Sequence, residues 1–205
     1  MNETIDVSLT DFVDFSIKAG TPKLTKVRAL RERGDYHPAT DYWKPLRERI
    51  PEAHEAGVFD IKQLVSFAKN YPDAKKVERY QAAVAGYRKF LGKKSAGWFS
   101  PPKAVWSPSR LRVRINPEIG LVLGERRLVL KLYFKTDKLS QQRVDVLSFL
   151  LRSQLQTKVS SNIEFGVLDV ANGKAFVQSS SADLSPLLLG EATSFVAMWD
   201  ALGAA

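Results

Sequence analysis

From residue 110 to 115, charged and aliphatic side chains alternate, with Arg110, Arg112 and Arg114 set against Leu111, Val113 and Ile115. A period of two belongs to a strand with one face in a core and the other outside. Upstream of that segment the apolar positions recur every three or four residues instead. Val77, Tyr80, Val84, Tyr87 and Leu91 share one face of a helix opened by Pro72-Asp73. Ile61, Leu64, Val65 and Ala68 share one face of a helix capped by Asp60. Three earlier helices are predicted: from the caps around Ser8 to Ala19, along the basic stretch from Lys23 to Arg33, and from Asp41 to Ala56, where Pro45 falls in the first turn. Gly20-Thr21-Pro22 and the segment from Gly34 to Pro38 are read as breaks.

Past residue 116 the strand period continues. Ile119 to Leu123 and Arg127 to Phe134 are predicted strands around a turn at Gly124-Glu125-Arg126. An amphipathic helix from Leu139 to Gln156 rests on Val144, Leu147, Leu150 and Leu151. Asn162 to Val170 and Lys174 to Gln178 are strands around Asn172-Gly173, and a last helix runs from about Gly190 to Leu202. No internal repeat is present. The order predicts an α+β or mixed α/β fold. A helical N-terminal half (1–92) packs on a C-terminal mixed sheet of about five strands with two helices (110–205), joined by a connector (93–109) into one compact unit.

Composition narrows the chemistry. In 205 residues, 44% are hydrophobic, enough for a sizeable core. There is no cysteine, which removes disulfides, thiol nucleophiles and thiolate zinc sites together. No apolar run reaches the ~20 residues that span a bilayer, and the acidic, polar start is unlike a secretory signal, so a cytoplasmic location away from membranes is expected.

Charge changes the picture most. The chain carries +9 in all, but residues 61–116 hold 13 Lys/Arg against 2 Asp/Glu, or +11. A field so concentrated suits an anionic partner, nucleic acid above all, with an acidic protein as the alternative. On the strands, Arg112 and Arg114 stand about 6.8 Å apart on one side. Lys131, Tyr133 and Lys135 share a side of the strand from Arg127. If both strands bury their aliphatic sides on the helices, these residues meet on one open basic face with Tyr133 to stack a base. In the connector, Lys93, Lys94 and Lys103 interleave with Trp98, Phe99 and Trp106, which suits a single strand or, equally, a loop anchored by its own rings. The helix from Pro72 adds Lys75, Lys76, Arg79 and Arg88 on its outer side.

Catalytic designs find little support. The two histidines, His37 and His54, match no metal-ligand spacing even with Asp41, and no Gly-x-Ser-x-Gly, Gly-x-Gly-x-x-Gly or Walker loop occurs. No cofactor, metal or catalytic residue is assigned. Carboxylates at Glu118, Glu125, Asp137 and Asp169 cluster in sequence around the hairpin, where a pair on adjacent strands could hold magnesium for phosphodiester cleavage. The run from Arg112 to Leu151 resembles the core of restriction-endonuclease-like PD-(D/E)XK nucleases of the RecB type. It follows their rhythm of strands through Pro117-Glu118-Ile119-Gly120 and Leu130-Lys131-Leu132-Tyr133, then a helix opened by Gln141 and Gln142. In that frame the family's metal-binding Asp falls on Gly120, and its Glu-x-Lys pair falls on Lys131 and Tyr133. A frame using Glu118 keeps a single acid. The resemblance therefore implies a copy that does not cleave. The expected function is non-catalytic nucleic-acid binding, DNA or RNA, through Arg110, Arg112, Arg114, Lys131, Lys135, Lys93 and Lys94, with Tyr133 and Trp98 stacking. Docking of an acidic protein and a metal-dependent nuclease are the alternatives.

Overall fold

A computed structural model describes residues 3–33, 41–57, 59–135, 137–177 and 182–203. The chain runs β1 (Ile5–Ser8), α1 (Leu9–Ser16), α2 (Thr21–Glu32), α3 (Lys44–Glu55), α4 (Ile61–Lys69) and α5 (Ala74–Leu91). It continues β2 (Ala96–Trp98), β3 (Ala104–Trp106), β4 (Leu111–Ile115), β5 (Ile119–Leu123), β6 (Arg126–Tyr133), α6 (Gln141–Leu155), β7 (Ile163–Asp169), β8 (Lys174–Val177) and α7 (Ser185–Ala201). This is a mixed α+β fold, with helices leading and most strands following.

The strands form two sheets. One has the order β2-β5-β6-β7-β8 and the other β1-β4-β3. In the first, β2, β5 and β6 are successively antiparallel, and β6 and β7 are parallel. A parallel neighbour cannot be reached by a hairpin, so α6 carries the chain across between them. In the second, β1 lies parallel to β4, with Ile5 opposite Leu111 and Val7 opposite Val113.

The larger sheet is covered on both sides. Leu128, Leu130 and Leu132 of β6 join Ile50 of α3, Leu64 of α4 and Tyr87 of α5 in one core. Val129 and Tyr133 join Phe12 and Val13 of α1 and Leu147 and Leu151 of α6 in the other. Three layers result: helices, sheet, helices.

Two features correct the expected open basic face. Tyr133 and Val129 lie under α6, because the crossover to a parallel strand must cover one sheet face. Arg112 and Lys131 sit in different sheets, because β4 pairs with β1 and β3 and not with the hairpin β5–β6. The connector also departs from expectation. It supplies an edge strand to each sheet, β2 and β3. Its rings anchor those strands: Trp106 meets Phe12 edge-on at 5.3 Å, and Trp98 stacks on His54 at 5.9 Å.

Close packing of α5 on the sheet layer depends on two glycines. A Cβ on Gly86 would lie 2.0 Å from the Val170 carbonyl oxygen, and one on Gly173 would lie 2.4 Å from the Gly86 carbonyl oxygen. The bare backbones touch there, so α5 reaches the β7–β8 turn without a side chain between.

Candidate nucleic-acid interface

The cations of residues 61–116 divide sharply by their partners. Only Arg110, paired with Asp200, and Arg112, 3.9 Å from Asp6, have a carboxylate in range among the described residues. Nine of the thirteen lie between Lys62 and Lys94, on the hairpin of α4 and α5 and the loop after it, and none of the nine is ion-paired among the described residues.

Local sequence makes this so. Asp60 and Asp73 spend their carboxylates as N-caps, accepting from the backbone N–H of Lys62 at 2.9 Å and of Lys75 at 3.0 Å. The hairpin's acids are thereby used on backbone, and Glu78 alone remains. Gly92, with φ of 61°, ends α5 and turns the chain into Lys93 and Lys94. The apolar stripe of α5 holds Tyr80, Val84, Tyr87 and Leu91 inward, which forces Lys75, Arg79, Arg88 and Lys89 outward into solvent. Lys76 is half-buried, its ammonium 5.1 Å from the centre of the Tyr42 ring. On α4, Lys62, Val65, Ser66 and Lys69 share the exposed stripe. A groove of about 490 Å³ runs between Lys62 and Lys69 of α4 and Arg88 of α5. Its walls carry no acid.

A larger cleft, about 1030 Å³, opens elsewhere between the two sheets, α1 and α3. Its walls hold five cations, Arg33, Arg47, Lys103, Arg114 and Lys131, but also six carboxylates. Three of those cations are already bound: Arg33 to Asp11 at 3.1 Å, Arg47 to Asp41, and Lys131 to Glu118. Charge there nearly cancels, so size alone does not make it an anion site.

The residues expected from the sequence to bind fall in different environments. Lys93 and Lys94 are exposed just past the end of α5. Trp98 is half-buried against His54 and edges the larger cleft. Arg114 is exposed on that cleft and unpaired among the described residues, whereas Arg112 is exposed but does not line it. Arg110 binds the Glu3 carbonyl at 3.0 Å as well as Asp200, and its side chain is mostly covered. Lys131 donates to the Asn116 carbonyl at 2.9 Å and to Glu118, whose second oxygen accepts from the Leu132 N–H at 2.8 Å. Lys135 binds Asp14 at 2.6 Å. Tyr133 is 5% exposed and donates its hydroxyl to the Asp137 carbonyl at 3.0 Å, which removes its ring from any stacking surface.

Asp14 and Asp11 anchor this paired half. Burial pushes the Asp14 carboxyl up, but hydrogen bonds from Lys135 and Arg143 outweigh it, so the group is held below the usual carboxylate range. Asp11 is likewise raised by burial but brought down to about 2 by Arg33 and Lys26. These pairs tie α1 and α2 to α6 and the end of β6.

His54 is packed among aromatic rings. His54 is 2% exposed, stacked on Phe59 at 3.9 Å, with Nε2 2.6 Å from the Tyr87 hydroxyl. Asp41 is engaged by Arg47, and His37 lies outside the described residues. Among the described residues, no group of three His, Asp or Glu side chains is placed to hold a metal ion. Nor is any described helix long and apolar enough to cross a membrane.

Lys62 and Lys69 line the basic groove without standing out in the sequence. The signals for them are the caps at Asp60 and Asp73 and the helical period, which together fix the outward stripe. Comparison of the chain with protein-family models, with curated proteins and with solved structures gives no significant match.

Proposed function

We propose that this protein binds nucleic acid through its phosphate backbone, without cutting it, and that the contact surface is the α4–α5 hairpin with Lys93 and Lys94. The observation that carries this is the run of nine cations between Lys62 and Lys94, none ion-paired among the described residues, whereas Lys131, Lys135 and Arg143 are tied to carboxylates. Free ammonium and guanidinium groups on exposed helix surfaces release counterions when they meet phosphates, and that release drives backbone binding.

The PD-(D/E)XK resemblance of residues 112–151 belongs to the same proposal, for β5, β6, α6 and β7 only, since β4 pairs in the other sheet. The two positions where that core carries its acids are Gly120 and Lys131 here, with Tyr133 at the place of its lysine, so what the resemblance offers is a scaffold for nucleic acid without the carboxylates for magnesium.

The test is a mobility-shift series with single- and double-stranded oligonucleotides at about 50 and 200 mM salt. Roughly five phosphate contacts would cost about 100- to 500-fold in affinity over that range. Exchanging Lys62, Lys69 and Arg88 together for Gln should weaken binding to every sequence alike. The same exchange at Lys18, Arg28 and Lys138 should leave it unchanged. Affinity that ignores salt, or that survives the first triple exchange, would defeat the proposal. Binding to an acidic polypeptide with none to any oligonucleotide would favour a protein partner instead.

A further inference from the structure

Next to the basic groove, and sharing Lys62, Ser66 and Asn70 with it, lies a second one of about 820 Å³ between α3 and α4. Its chemistry is different. Phe67 and Tyr71, both half-buried, form an aromatic wall with ring centres 5.5 Å apart. Gln63, Ser66 and Asn70 border it with an amide, a hydroxyl and a second amide, groups that both donate and accept. Its charges cancel, Arg49 and Lys62 standing against Glu52 and Asp60.

A neutral groove walled by half-buried rings beside an acid-free cationic one matches the two halves of a nucleotide. We propose that the bound nucleic acid is single-stranded, with its backbone crossing α4 at Lys62 and Lys69 and one unpaired base stacked on Phe67 with its edge against Tyr71, whose ring stands at 63° to that of Phe67. The inference rests on the backbone-binding reading above and adds the substrate class. Lys62, Ser66 and Asn70 border both grooves, so α4 is a ridge that a nucleotide can straddle. Lys62 and Lys69 are seven residues apart, two turns or about 10 Å along one face, a separation that leaves room for a chain to pass between them. A duplex keeps its bases paired and stacked inside, and only a strand with splayed bases can present one to a ring without the cost of flipping. Stacking on an aromatic side chain is tolerant of sequence, because every base has a flat face.

The experiment uses the full chain and a single-stranded oligonucleotide of about a dozen nucleotides carrying 2-aminopurine at successive positions. Binding to the wild-type protein should quench the fluorophore as it stacks. A duplex of the same sequence should bind more weakly. Phe67→Leu keeps apolar volume but removes the ring; it should lower single-strand affinity about 5- to 100-fold while leaving the salt slope unchanged. Lys62→Gln with Lys69→Gln should instead flatten that slope by about 0.7 for each phosphate left without its cation. Tyr71→Leu serves as the second variant if Phe67→Leu loses its wild-type circular dichroism. Equal affinity for duplex and single strand, an unquenched fluorophore, or wild-type binding by both Leu variants would overturn the base-stacking inference. If the Lys variants alone weaken binding, the backbone reading survives without it. If no oligonucleotide binds at all, both fall.

Discussion

Lowering the pH from 7.5 to 5 should destabilise this protein through one side chain, His54. The ring is enclosed by Phe59, Trp98 and Tyr87, and burial lowers its pKa from 6.5 to about 4. A base with a depressed folded-state pKa stays neutral in the native protein while the unfolded chain takes up a proton. Between pH 6.5 and 4 the unfolded state therefore binds more protons, and stability falls as pH falls. The loss begins near pH 6.5, runs at about 1.4 kcal/mol per pH unit and levels off below about 4, for a total near 3 kcal/mol and about 2 kcal/mol by pH 5. The carboxylates Asp11 and Asp14 act in a lower window. Their folded-state values are depressed, so their contribution is complete above the ordinary carboxylate range and is lost only as pH drops through it. Urea unfolding of the wild type and of His54→Phe at pH 7.5, 6 and 5 separates the terms. The wild type should lose about 2 kcal/mol more than the variant over that interval. Parallel losses in the two proteins would show that the ring is not held neutral by the fold, and the reasoning would fail.

Three further outcomes follow from packing and pairing. Gly86→Ala should gain about 1 kcal/mol of helix propensity yet destabilise overall by about 2 kcal/mol or more, because the new methyl would press on the Val170 and Ala171 carbonyls; a raised melting temperature would refute the contact. Asp14→Asn should cost about 3 kcal/mol in chemical denaturation, since Lys135 and Arg143 would face an amide in a mostly buried site, and a cost below about 1 kcal/mol would mean the pairs are merely superficial. Asp60→Ala should cost about 1 kcal/mol by removing the cap on α4, with the effect appearing first as faster amide exchange in that helix.

Much of the architecture is legible in the sequence because local patterns carry it. The alternation in β4, the hairpin at Gly124 and the amphipathic period of α5 and α6 all fall within two or three residues of expectation. The pattern misleads where the deciding partner is remote or the local sign is ambiguous. Ile5–Ser8 is four residues long and becomes a strand only by pairing with β4, more than a hundred positions away. Gly20-Thr21-Pro22 has the composition of a stop, but Pro22 starts α2, since a proline in the first turn gives up an N–H with no partner to lose. The connector strands are three residues each and are fixed by sheet edges already formed.

The candidate interface is less legible for a reason that charge counting cannot reach. A sequence shows where cations are, but their availability depends on which carboxylates fold beside them. Arg110 looks as free as Arg88 along the chain, yet it meets Asp200 from α7, ninety residues on. Lys135 looks as free as Lys94, yet it meets Asp14 from α1. The α4–α5 hairpin escapes this neutralisation for local causes that the sequence does contain: two of its acids are placed to cap helices, and its apolar stripe turns the lysines outward. Of the thirteen cations of residues 61–116, nine lie on this hairpin and the loop after it, and none of the nine is ion-paired among the described residues. A search for nucleic-acid contacts is therefore better aimed at Lys62, Lys69, Arg79 and Arg88 than at the arginines of β4.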